Sequence, residues 1–464
     1  MHTHALADDL RPRRSLWLSR RARWSAAIGV ALAVFLVVFG VVYRLNQQPY
    51  AFDRLTLVAG VDYPGGGDDG DADGHGTRAY LDGGRAFIGR PTGGGKFDLR
   101  AVDVEQPGGA PIWTNTSLRD VDSFRAARGS VMVTGLPDKD SRRRITLLNA
   151  SNGVPFATFD VMNSDLWVLV GKYFVRYRDS DHKLVVTDVG TLKEFVALDQ
   201  PGGPRSWWLT DNWSGQQVPT SVDGAQLDEA FTVDPHIVRA TADRGLEVVS
   251  LSNGRPLSAA TGIAGPDDLV YPYDEQIFVV SREHGQVRAY DRRKLGKAQW
   301  SWSLPDPRSA PTFVTVCGER RVCVGEQHHV TALDTRTGEV EYRLDVDRPG
   351  HLLPVGDRVM IRHETGGRSQ SSLVDADGRI TASWPGKRAA RLDEGSYLLL
   401  PSTVPDSGAF PWLGVQAQNG AARELGNLDV RLDSCTWSHK YLACAAPGEF
   451  VFYRVRSPWY SGRL

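Results

Sequence analysis

The stretch "VTALDTRTGEVEYRL", residues 330–344, decides how the rest of the chain is read. A β-branched and apolar run ends at Asp334, a polar turn carrying Gly338 follows, and a second run opens at Val340. An aspartate heading a turn accepts N–H bonds from the residues just ahead of it. A glycine a few positions on supplies the positive φ that a tight turn needs. The local reading is strand, turn, strand. Whether it marks a cofactor site or a repeated fold depends on how often it recurs.

It recurs along most of the chain. "SVMVTGLPDKDSRRRITLLNASNGVPFATF" and "QIFVVSREHGQVRAYDRRKLGKAQWSW" have the same grammar. Aligning the residue that ends the second run of each unit gives Asp103, Asn149, Asp188, Ser250, Asp291, Asp334, Asp375 and Ala417. Most lie 39 to 46 residues apart, with one interval of 62. A period of ~40–45 residues is that of a four-stranded propeller blade. Helical periodicity is absent after residue 44, and Gly 48 with Pro 26 supply the turns.

The expected fold is therefore all-β, a β-propeller of four-stranded antiparallel blades over residues 81–464. Eight anchors predict eight blades, with seven as the alternative. The terminal hairpin "YLACAAPGEFVFYRV" is left over. It either joins a partial unit at the other end in a closing blade, or one of the other hairpins is an insertion. Trp113, Trp302 and Trp384 are expected to close their units by stacking over the next hairpin.

Upstream, "SAAIGVALAVFLVVFGVVY", residues 25–43, carries no charge. As a helix it would span ~28 Å, close to the ~30 Å hydrocarbon core of a bilayer. Arg11, Arg13, Arg14, Arg20, Arg21 and Arg23 precede it and only Arg44 follows closely, so the positive-inside rule keeps residues 1–24 in the cytoplasm. The expectation is a single N-terminal transmembrane helix acting as an uncleaved signal anchor in the cell membrane, with the propeller domain extracytoplasmic. A cleaved signal peptide is the alternative. Residues 44–80 read as a Gly/Asp-rich linker.

Four cysteines form two local pairs, Cys317 with Cys323 and Cys435 with Cys444, each spaced for adjacent strands of a hairpin. Outside the cytoplasm both read as disulfides. Zinc ligation and unpaired buried thiols are the competing readings. The linker contains D-x-D-x-D-G as Asp69, Asp71, Asp73 and Gly74, the opening of a calcium loop. The glutamate that would close an EF-hand falls at Tyr80, which leaves a solvated acidic loop as the simpler reading. Formal net charge is -1, so no global positive field attracts a phosphate backbone, and nucleic-acid binding is not expected.

The repeat resembles the PQQ-like, or quinoprotein-type, β-propeller family, whose docking motif is A-x-D-x-x-T-G-x-x-x-W. Ala332, Asp334, Thr337 and Gly338 match it, and Tyr342 stands where the Trp belongs. The resemblance covers about residues 81–456. It implies either a non-enzymatic scaffold of the BamB type or a quinone-dependent dehydrogenase using PQQ with calcium. The dehydrogenases carry adjacent cysteines over the cofactor, and no Cys-Cys dipeptide occurs here.

Other candidates are local. Trp207, Trp208 and Trp213 form either an interaction loop for a protein or carbohydrate, or blade-closing strands. Arg142, Arg143 and Arg144 sit at a hairpin turn, and His328 and His329 are neighbours on a strand, facing opposite ways. No G-x-S-x-G, H-E-x-x-H or P-loop is present. The expected function is a membrane-anchored scaffold that binds an unidentified envelope or secreted protein without catalysis. The alternatives are a PQQ-dependent dehydrogenase and a propeller that binds a small ligand or carbohydrate.

Overall fold

A computed structural model describes residues 52–62 and 77–456, except 83, 128, 201, 202, 204, 205, 211–234, 307–309, 319, 394, 402–410, 429, 431–433, 439 and 447. Residues 25–43 and Asp69, Asp71, Asp73 and Trp213 lie outside the described residues, so the expected anchor and calcium loop do too. No helix among the described residues is long and apolar enough to cross a membrane.

The strands fall into nine four-stranded antiparallel sheets. Eight are built from consecutive strands, from β2(Arg78–Asp82), β3(Arg85–Gly93), β4(Lys96–Asp103) and β5(Trp113–Arg119) in blade 1 to β30(Lys387–Asp393), β31(Ser396–Pro401), β32(Trp412–Gln416) and β33(Ala422–Gly426) in blade 8. The ninth combines β34(Thr436–Trp437), β35(Tyr441–Ala446) and β36(Glu449–Arg456) with β1(Phe52–Asp62) from the other end of the chain. β1 pairs antiparallel with β36, Phe52 opposite Arg456 and Asp62 opposite Glu449.

The expected eight or seven blades are thus corrected to nine. All eight sequence anchors end, or directly follow, the third strand of a blade, and each marks a real blade. The leftover hairpin is a further blade whose outer strand is β1. β1 and the start of β2 also fall inside the stretch expected to be linker, so sheet begins well before residue 81. The interval of 62 residues comes from blade 4, where β14(Trp207–Leu209) and β15(His236–Ala240) are joined by a long connection.

Alternation explains the core. A strand between two blades presents successive side chains to opposite neighbours, so both faces are apolar. In β11(Tyr173–Arg178), Phe174 packs toward blade 2, whereas Val175 and Tyr177 pack toward blade 4. The buried apolar side chains form nine clusters, and each joins one blade to the next. The last closes blade 9 on blade 1 through Phe450, Phe452, Ala79 and Ile88. The first strands of successive blades meet, as β2 does with blade 2's β6(Val121–Ala127), which places them on the inner side of the ring.

Candidate functional site

The motif that opened the sequence reading is a seam-closing device. β24(His329–Asp334) ends in Asp334, whose Oδ1 accepts the backbone N–H groups of Arg336 and Thr337, each at 2.8 Å. Burial pushes the Asp334 carboxyl up. The N–H groups of Thr337 and Arg336 and the guanidinium of Arg320 pull it further down, leaving it below the usual carboxylate range. Gly338 N–H returns to Asp334 O at 2.9 Å, with Gly338 at φ +73°. Over this turn lies Trp300 of blade 5, whose Nε1 donates to Thr335 O at 2.7 Å. A β-carbon on Gly338 would meet that indole at 2.5 Å, so the glycine is required by contact as well as by φ.

The same dock recurs around the ring. Trp113 of blade 1 lies on Gly153 of blade 2 and donates Nε1 to Ala150 O at 2.9 Å. Tyr342 of blade 6 lies on Gly378 of blade 7, and burial pushes its phenol up to about 12. Val196 fills the place over Gly254, and Ala382 the place over Gly420. Trp113 is therefore where sequence reasoning put it, while Trp300 and Ala382 take the places expected for Trp302 and Trp384. Ala332, fully buried in the cluster between blades 6 and 7, is a close-packing position as expected.

Both cysteine pairs are disulfides, and no free cysteine remains. Cys317–Cys323 ties β22(Phe313–Gly318) to β23(Arg321–Gly325), and Cys435–Cys444 lies in the cluster joining blades 8 and 9. Trp207 and Trp208 are not loop residues: both stand on β14, the inner strand of blade 4. They are partly buried, Trp207 against the seam with blade 3 and Trp208 against the seam with blade 5. Their alternation on a strand is what sends them to opposite neighbours.

The remaining titratable candidates are spread over the ring and paired locally. Arg143 meets Asp122 at 2.7 Å, and Arg144 meets Asp160 at 3.1 Å. His328 and His329 meet Asp347 at 2.7 Å and Asp345 at 2.8 Å. His363 is buried, with Nε2 2.9 Å from Ser372 Oγ and Nδ1 3.2 Å from Glu364 O, and burial holds its imidazole below the usual range. No group of three or more His, Cys, Asp or Glu side chains among the described residues is arranged to hold a metal ion. Neither disulfide joins adjacent cysteines, the two being separated by 6 and 9 positions in the chain.

A nine-bladed ring of four-stranded sheets, with Gly153, Gly338 and Gly378 docked under Trp113, Trp300 and Tyr342 at three of its seams, defines the protein class as a β-propeller. Residues 283–391 match the family model described as "Outer membrane protein assembly factor BamB". No curated protein matches the sequence. Among solved structures the chain is similar to BamB from Moraxella catarrhalis, at 11% identity, 86% of this chain, 99% of that one and TM-score 0.43. It is similar to Sqt1 from Saccharomyces cerevisiae at 10% identity, 87% and 100% coverage and TM-score 0.43. A computationally designed protein, Ika8, matches at 14% identity, 72% and 96% coverage and TM-score 0.45. At these identities and scores the likenesses carry no statement about function.

Proposed function

We propose that this chain is a non-catalytic platform outside the cytoplasmic membrane, tethered through residues 25–43, that binds another envelope or secreted protein. The observation that carries the reading is the match of residues 283–391 to a family model named for an outer-membrane protein assembly factor. A ring whose repeat residues are spent on closing seams is a rigid support, and recognition then falls to its loops and rims. Two disulfides favour an oxidising compartment. The near-neutral charge disfavours nucleic acid as the partner.

The test is a pull-down of the tagged full chain from detergent-solubilised membranes. One partner recovered reproducibly in near-stoichiometric amount is expected, and its absence over independent preparations overturns the scaffold reading. Titration of the purified full chain with PQQ and calcium separates the competing enzyme reading. No saturation is expected, and saturable binding with dye-linked dehydrogenase activity would establish that alternative instead.

A further inference from the structure

The seam between blades 2 and 3 breaks the docking rule that closes its neighbours. By cross-strand pairing, Ala157 on β9(Pro155–Met162) of blade 2, opposite Leu147, stands where Trp113, Trp300 or Tyr342 stands elsewhere, opposite Ala101, Ala289 or Ala332. In blade 3, Leu192 stands where the turn glycine belongs. Its N–H still returns to Asp188 O at 2.8 Å, as Gly338 does to Asp334, and its backbone keeps the left-handed conformation at φ +56°. A branched side chain there is strained, and strain of this kind concentrates where a structure has a second demand to meet.

At this place the seam opens into a cleft of about 300 Å³, with Leu192 on its lip. That is the lower end of the range for small-ligand sites. One wall is aromatic: Phe159 lies parallel to Phe174, ring centroids 4.2 Å apart. The others are polar, with Asp160 and Glu194 beside Arg176, whose guanidinium donates to Asp160 O at 3.0 Å and faces the buried Asp165. Thr187, only 7% exposed, lines the cleft, and its hydroxyl has no hydrogen-bond partner among the described residues. That hydroxyl still reaches solvent in the open cleft, so a ligand hydroxyl can take the place of water on it. Phe156 and Phe195 stand exposed on the neighbouring outer strands.

We infer that this cleft binds a neutral carbohydrate, a short stretch of glycan whose C–H face lies on Phe159 and whose hydroxyls meet Thr187, Arg176, Asp160 and Glu194. Carboxylates and guanidinium groups lining one cleft offer both acceptors and donors, which suits vicinal hydroxyls. The charges around the cleft are already matched, Asp160 with Arg144, Glu194 with Arg178 and Arg176 with Asp165, which favours a neutral ligand over a phosphate or other anion, and the polar walls oppose a purely apolar one. The inference is independent of the scaffold reading, since a propeller with no protein partner could still hold a sugar here.

The test uses the purified full chain in detergent with maltohexaose, cellohexaose, chitohexaose and laminarihexaose, read by calorimetry and saturation-transfer NMR. Saturable binding of at least one is expected. T187V removes only an unpartnered hydroxyl, so it should leave the melting temperature in place and weaken binding about tenfold. The double variant A157W/L192G rebuilds the dock of the other seams. It should fold at least as stably as the parent and lose binding altogether. Failure of all four sugars overturns the inference, as does binding that both variants leave untouched. Displacement of bound sugar by an unrelated extended peptide would make this a peptide slot and also overturns it.

Discussion

At Gly338 two requirements coincide, a positive φ and an indole 2.5 Å from where a β-carbon would stand. G338A is therefore expected to cost about 2 kcal/mol or more, from left-handed strain plus displacement of Trp300, in equilibrium denaturation. G356A, at φ +60° with open space around it, should cost only the strain part, about 1 kcal/mol. Equal losses would show that the dock over Gly338 adds nothing. The sequence showed Asp334, Gly338 and Tyr342 plainly because turn chemistry is local. Which tryptophan docks was harder to read. Trp300 and Trp302 face the same seam two residues apart, and register shifts in the pairing of β20(Gln286–Asp291) with β21(Lys294–Ser303) alter the spacing from Asp291.

Among the elements, β1 departs furthest from its sequence expectation, and its position explains why. As an outer strand paired on one side only, it buries little: Phe52 is buried, while Thr56, Leu57 and Asp62 are exposed. The two-faced apolar pattern of an inner strand is missing, and the Gly/Asp tract beside it reads as linker. Phe52 nonetheless enters the cluster between blades 8 and 9, where a β-carbon on Gly414 would meet its ring at 2.4 Å. F52A is expected to cost about 3–5 kcal/mol by removing a buried ring. The same change at exposed Phe156 should cost under about 1 kcal/mol. A small loss at Phe52 would mean that β1 is not needed to hold blade 9.

For the whole molecule, closure of the ring makes the blades interdependent, and the turn carboxylates set an acid limit. Hydrogen bonds from the Arg142 backbone to Asp138 and from the Thr191 backbone to Asp188 hold both carboxyls below the usual range, as Asp334 is held. A depressed folded pKa stabilises fully above the unfolded value of ~3.9 and is lost as pH falls through the folded value. His363, held below its ordinary ~6.5 by burial, acts with the same sign: the fold prefers the neutral ring, so stability declines as pH falls below that value. Denaturation midpoints should decline in two stages, and H363N should abolish the upper one. An unchanged upper stage in H363N would assign it to another group.

The sequence by itself determined the repeat, its period, its turns and both disulfides, because each depends on residues close together in the chain. Only the tertiary structure decided the blade number, the strand that closes the ring and the seam that stays open. β1 meets β36 across nearly the whole chain, and Ala157 and Leu192 matter only because they fall on facing blades. Such facts depend on pairings between distant segments, which no local pattern encodes.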